Sequence, residues 1–79
     1  MEQTIFSTYD LGVATVLITL DHKLLKLDKD NPKKVLFVFE NDGAIQKDVN
    51  RYWNDKIKVP AQTLLNNQKM LKNRIYSDM

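Results

Sequence analysis

The chain has 79 residues, no cysteine and a net charge of +2; 43% of its residues are hydrophobic and 28% are charged. So short a chain builds one small core, which excludes a second domain and predicts a single domain over residues 1–79, ordered over about 5–76. The composition is typical of a globular protein. Without cysteine for disulfides we expect a cytoplasmic location, and a domain this small gains buried area by forming a homo-oligomer.

Neither secretion nor membrane insertion is expected. The first ten residues lack a basic segment followed by an apolar one, so they do not resemble a signal peptide. The most apolar stretch, Leu11–Leu20, is much shorter than the ~20 residues needed to cross a bilayer.

The first predicted element is a helix over this apolar stretch. Ser7 and Asp10 fit a capping box, with Ser7 as the N-cap and Asp10 reaching back to it. Apolar side chains then occur nearly all round the helix, which predicts cover on more than one side. Gly12 lowers helix propensity by ~1 kcal/mol, which indicates that a neighbouring backbone comes close there.

Two strands follow, at His22–Asp28 and Lys34–Glu40, joined by a polar turn that contains Pro32. The second strand is apolar on both faces, so both faces should be covered. An isolated hairpin is marginal in water, which favours extension of the sheet across a dimer interface. The predicted fold is a small α+β domain of the order helix, β-hairpin, helix, helix, with two antiparallel strands packed by helices.

Two further helices complete the predicted order. In the first, Ile45, Val49, Tyr52 and Trp53 recur at helical spacing. The second runs from about Pro60 to Tyr76, with proline at its start. Its predicted core stripe consists of Ala61, Leu64, Leu65, Gln68, Leu71 and Ile75.

The residue inventory fails the common catalytic templates, so we expect no enzymatic activity, no cofactor and no metal. A nucleophilic hydrolase needs an activated Ser or Cys beside a histidine. His22 is the only histidine, and we interpret it as an exposed residue at the start of a strand. The segment from Asp28 resembles a calcium loop, but Lys33 and Phe39 occupy the positions that need Gly and Glu.

The third predicted helix carries a polar stripe that is the candidate ligand-binding site. Its residues lie at spacings of four, three, four and three, which places them on one side of a helix, opposite the core stripe. Amide, ammonium and phenol groups can hydrogen-bond a base or a phosphate, although a solvated helix face explains the same pattern. The candidate residues are Gln62, Asn66, Lys69, Asn73 and Tyr76, flanked by Lys72.

Tyr52 and Trp53 admit two interpretations. Aromatic rings near lysines hold single-stranded nucleic acid by stacking, and helical spacing equally predicts core packing. Of the two, we expect Trp53 to reach a surface and to be the candidate for stacking. Residues 51–79 carry six Lys or Arg and two Asp, a mild preference for an anionic partner.

Four blocks of the sequence are distinctive: Phe6–Thr15, Lys34–Glu40, Tyr52–Thr63 and Leu71–Tyr76. They resemble a family of very small uncharacterised proteins of Firmicutes bacteria and their phages. The resemblance covers Phe6 to Tyr76 and implies a cytoplasmic protein of mobile-element origin. It carries no activity or site, so no residue roles are transferred.

Three functions are compatible with the sequence, all without membrane contact. The favoured one is sequestration of a phosphate-bearing nucleotide, such as a host immune signal, by an oligomeric phage protein. The alternative is an accessory protein that binds single-stranded DNA or RNA, with Trp53 or Tyr76 stacking and nearby lysines following the backbone. The third is an inhibitor that binds a host protein through an exposed edge strand or apolar patch.

Overall fold

The computed structural model describes residues 4–77 and confirms a small α+β fold. The described part has three helices and one antiparallel sheet in the order β1-β3-β2, so the prediction of two strands was wrong. In chain order the elements are β1 Ile5–Thr8, α1 Leu11–Thr19, β2 Leu24–Asp28, β3 Leu36–Glu40, α2 Ile45–Trp53 and α3 Ala61–Ser77.

The sequence analysis missed strand β1, and Ser7 belongs to this strand and not to the start of the helix. Ser7 pairs with Val38, so it is not the cap of α1. Asp10 is the N-cap, with extended backbone and a side-chain Oδ1 that accepts the Val13 N–H at 2.9 Å. Both residue types cap helices well, and pairing with β3 decides which of them does so here.

The predicted hairpin is confirmed, and β3 forms its central strand. β1 and β2 both pair antiparallel with β3, and β2 has an irregularity between Leu24 and Lys26. Phe37 and Phe39 point from β3 into the core, and Val38 on the other face is also buried. Because β1 supplies a third strand within one chain, the hairpin does not need a strand from a second copy to form a stable sheet.

The core forms around α1, which is buried at five consecutive positions from Val13 to Leu17. This confirms the expected cover on more than one side: α1 contacts both α3 and α2. Phe37 and Phe39 of β3 pack against the same cluster. Gly12 meets a side chain rather than the expected backbone, because the Tyr52 phenol oxygen lies 2.5 Å from where a β-carbon would be.

The predicted core stripe of α3 is partly wrong. Leu71 is fully buried, and Leu64, Gln68 and Ile75 are half-buried. Ala61 and Leu65 are exposed, Leu65 by 61%. At 100° per residue Leu65 lies about 120° around the helix from Leu71, which places it at the edge of the packed face and not at its centre. Within residues 4–77, no helix has the length and apolar character that a bilayer-crossing segment needs.

Candidate functional site

The longest run of one charge sign covers α3 and the connection before it. From Lys56 to Ser77 the sequence contains five cationic residues and no carboxylate. Lys56 and Lys58 precede the helix and are exposed. On α3 itself, the cations are Lys69, Lys72 and Arg74, all exposed.

Local interactions fix both ends of α3. Pro60 precedes the first helical residue, and its carbonyl accepts the Leu64 N–H at 3.0 Å, so proline opens the helix as predicted. At the other end, Lys29 Nζ donates to the carbonyls of Arg74 and Ile75 at 2.7 and 3.2 Å. An ammonium at a helix C-terminus satisfies carbonyls that have no helical partner and complements the helix dipole.

All of the candidate ligand-binding residues on α3 are exposed. Tyr76 is 77% exposed, and Leu65 lies close to Lys69 and Lys72 on the helix surface. The stripe therefore lies on an open face, and its role in binding stays a prediction. Its residues are Gln62, Asn66, Lys69, Lys72, Asn73 and Tyr76.

Trp53 and Tyr52 have different environments, and Trp53 reaches the surface as expected. The Tyr52 ring is half-buried, and its phenol oxygen lies next to Gly12 of α1. Trp53 is 63% exposed and makes an edge-on contact with Tyr52, with ring centroids 4.9 Å apart and planes at 79°. The indole is thus accessible from solvent, and along the chain it lies three residues before the cationic segment.

The histidine lies in a cluster that the sequence analysis missed. His22 is only 8% exposed, so its interpretation as an exposed strand-end residue was wrong. Its Nδ1 lies 2.7 Å from an Asp42 carboxylate oxygen, and its Nε2 lies 2.6 Å from one of Asp48. Asp48 also accepts from Arg51 at 3.1 Å.

Turn geometry brings these partners together. Asp21 adopts a left-handed conformation (φ 71°) after α1, and the Asp21 and His22 N–H groups donate back to the Ile18 and Leu17 carbonyls. This pair of bonds is a Schellman ending, which usually places Gly at the left-handed residue. Past β3, Gly43 (φ 84°) turns the chain into α2, which carries Asp48.

The environment of His22 favours its charged form. Burial opposes the charge and lowers the pKa, but the hydrogen bonds to Asp48 and Asp42 outweigh burial, so the pKa of His22 is raised above 6.5. The pKa of Asp42 is lowered, first by the Ala44 N–H, which donates to Oδ1 at 3.0 Å, and also by His22. With a carboxylate at each ring nitrogen, the protonated imidazole donates twice and has no lone pair left to accept a proton from a substrate.

Among the cavities formed by residues 4–77, three lie away from the His22 cluster. One of about 430 Å³ is lined by Lys26, Lys29 and Arg74 among others, and one of about 390 Å³ lies beside Tyr9. A third of about 200 Å³ lies over Gly12 and Tyr52. None of the three is lined by the candidate residues of the α3 stripe. Among residues 4–77, no group of three or more His, Cys, Asp and Glu is arranged to hold a metal ion.

A family model described as a domain of unknown function, DUF5659, matches residues 3–77. The chain belongs to the DUF5659 family. This confirms the expected membership of an uncharacterised family, and the distribution of that family in Firmicutes and phages stays a prediction. No curated protein and no solved structure matches the DUF5659 chain.

The residues that the sequence analysis missed in this DUF5659 domain have no local signal. His22 lies 20 residues from Asp42 and 26 from Asp48, so no helical or strand spacing relates them. Tyr9 and Lys34 lie on separate elements, and only the fold brings the Lys34 ammonium to 5.1 Å from the ring centre. Helix and strand periodicity predicts which residues are neighbours within one element, but it does not predict contacts between residues of different elements.

Proposed function

We propose that this chain binds single-stranded nucleic acid, without covalent chemistry, along α3 and the connection before it. The observation that carries the proposal is the absence of any carboxylate from Lys56 to Ser77, where five cationic residues are exposed. Its cations, two before α3 and three in the second half of the helix, attract phosphates, and the segment contains no group that repels them.

Exposed aromatic rings support stacking at both ends of this surface. Trp53 lies shortly before α3 and is 63% exposed, and Tyr76 lies at its far end and is 77% exposed. Aromatic side chains stack on bases with little regard to sequence, at ~1–3 kcal/mol per base. Rings this exposed contribute little to the core and are accessible to the bases of a strand.

The open shape of α3 favours an extended ligand. The helix has 17 residues and is about 25 Å long, enough to contact several nucleotides. A compact ligand is usually held in a concave site that buries most of its surface. Surface amides such as Gln62, Asn66 and Asn73 can hydrogen-bond exposed bases or phosphates of a strand.

The state of His22 supports binding without chemistry. Its two ring nitrogens are both engaged by carboxylates, which leaves no basic nitrogen for general-base catalysis. The ion cluster is explained by its structural role, because it ties the end of α1 to α2.

The test is titration of the protein with fluorescently labelled oligothymidylate and oligouridylate at several salt concentrations. We expect binding whose log affinity falls linearly with log salt, with a slope of about −0.7 per phosphate neutralised. Stacking on Trp53, the only tryptophan, should quench its fluorescence, and Trp53→Phe provides the control. Absence of binding at low salt refutes the proposal and favours a protein partner.

A second candidate function is capture of a compact phosphate-bearing nucleotide. In this role the protein of a phage or other mobile element sequesters a host immune signal by binding alone. The exposed face of α3 cannot enclose a compact ligand by itself. A cavity of about 390 Å³ beside Tyr9, lined by aromatic and cationic residues, favours this candidate. A nucleotide should then raise the melting temperature, because it stabilises only the folded state.

A further inference from the structure

The cavity beside Tyr9 lies on a part of the molecule that the polar stripe of α3 does not reach. It is bounded by the start of α1, by β3 and the turn before it, and by the end of α3. We propose that this cavity is a binding site for a nucleoside monophosphate, with the base against the apolar wall and the phosphate at the cationic rim. This inference rests on the second candidate function and gives that function a site.

The apolar wall suits a planar base. Leu11, Val35 and Ile75 line the cavity and are half-buried; Phe37 also lines it but is only 1% exposed, so it offers almost no surface to a ligand. Tyr9 lines one side and is 55% exposed. A base that enters the cavity gains contact with this ring and removes apolar surface from water.

The rim supplies the complementary charge. Lys33 and Lys34 line the cavity, and no carboxylate does. The Lys34 ammonium already lies 5.1 Å from the centre of the Tyr9 ring, a cation–π arrangement that keeps the charge at the mouth. The turn is held by Asn31, whose Oδ1 accepts the Lys33 N–H at 2.8 Å and whose carbonyl accepts the Lys34 N–H at 3.3 Å.

Size and composition together select this cavity and this ligand. A volume of about 390 Å³ lies at the lower end of the range of small-molecule sites, which fits one nucleotide better than a dinucleotide. The cavity that contains Arg74 has cations but no aromatic residue, and the one over Gly12 has a tyrosine but no cation. The Tyr9 cavity combines both groups.

The test is an amide-resolved NMR titration of the ¹⁵N-labelled protein with AMP, adenosine and inorganic phosphate in separate experiments. We expect AMP to shift the amides of Tyr9, Lys34 and Val35 in a saturable way. Adenosine should bind about tenfold more weakly, since it lacks the charge-assisted contacts, and phosphate alone should give no saturable shift.

Variants locate the site. Lys33→Gln with Lys34→Gln, and separately Tyr9→Ala, should each weaken AMP binding about tenfold or more. All three residues are exposed, so the fold should persist and the spectrum reports it directly. The matched controls are Lys47→Gln, an exposed lysine on α2 that does not line the cavity, and Lys69→Gln with Lys72→Gln on α3.

The outcomes distinguish this inference from strand binding by α3. No saturable shift with AMP at about 10 mM, or a shift that the Tyr9 and Lys34 variants leave unchanged, overturns the cavity proposal. Oligonucleotide binding that survives in those same variants shows that the α3 proposal stands independently. Loss of AMP binding in the α3 control variants likewise contradicts a site at Tyr9.

Discussion

Nε2 of His22 and a carboxylate oxygen of Asp48 lie 2.6 Å apart, although 26 residues separate them along the chain. Through this contact the segment after α1 is tied to α2, and the contact from Nδ1 to Asp42 adds the loop before α2. The side chain of His22 is 5% exposed and that of Asp48 is 16% exposed, so water competes weakly for both groups.

We expect His22→Gln to lower the free energy of unfolding by about 2 kcal/mol, because it breaks two hydrogen bonds between charged groups and leaves Asp48 without its main cation. Urea unfolding at pH 6 measures the change. Lys23→Gln, an exposed neighbour, is the control and should stay within about 0.5 kcal/mol of the parent. A similarly small effect of His22→Gln would contradict an ion cluster that stabilises the fold.

Stability should also depend on pH through this cluster. The pKa of His22 is raised in the folded state. Its contribution to the free energy of unfolding is therefore complete below about pH 6.5 and is lost as the pH rises through the folded-state pKa. The pKa of Asp42 is lowered, so its contribution is present above about pH 3.8 and is lost as pH falls. Unfolding curves should therefore show greatest stability between these values, and His22→Gln should remove the decline on the alkaline side.

Gly12 and Tyr52 should be coupled. A β-carbon at residue 12 would lie 2.5 Å from the Tyr52 phenol oxygen, so we expect Gly12→Ala to cost about 1–2 kcal/mol despite the better helix propensity of alanine. In a Tyr52→Phe background that oxygen is gone, and the nearest remaining atoms are Asp10 Oδ1 at 3.1 Å and a ring carbon at 3.5 Å. The same substitution should then cost clearly less. A double-mutant cycle by thermal unfolding measures the difference, and equal effects in both backgrounds would contradict the contact.

Asp21 is in a left-handed conformation at the C-terminus of α1, where its negative charge also opposes the helix dipole. We expect Asp21→Gly to stabilise the protein by about 0.5–1 kcal/mol, measured by urea unfolding. Asp21→Asn separates the effect of the charge from that of the left-handed backbone, because it removes the charge and keeps a side chain. Destabilisation by the glycine variant would show that the Asp21 side chain has a role beyond the backbone turn.

Replacement of Lys69 and Lys72 by glutamine should weaken oligonucleotide binding at low salt and reduce the slope of log affinity against log salt by about 1.4. Both residues are exposed, so the melting temperature should change little. Lys47→Gln with Lys23→Gln removes the same charge from other exposed positions and serves as the control. An equal loss in the control would indicate attraction by net charge alone, without a defined α3 surface.

Local sequence patterns correctly predicted the hairpin, the burial of α1 and the start of α3 after Pro60. These features depend on alternation, helical spacing and proline geometry, which operate within one element. The prediction that Leu65 is buried was wrong because helical spacing within α3 does not determine how far the cover from α1 extends around the helix. The stripe that remains exposed on α3 was recognisable, since polar and cationic residues recur on one side.

By itself, the sequence of this DUF5659 domain determined an α+β fold with an acid-free C-terminal helix, because both properties follow from residue type and short-range spacing. Only the tertiary structure decided that Ile5–Thr8 joins the sheet, that His22 lies between Asp42 and Asp48, and that Tyr9 and Lys34 meet at a cavity. The physical reason is common to these three cases. Each depends on contacts between elements, whose free energy comes from packing the whole core and not from any one segment.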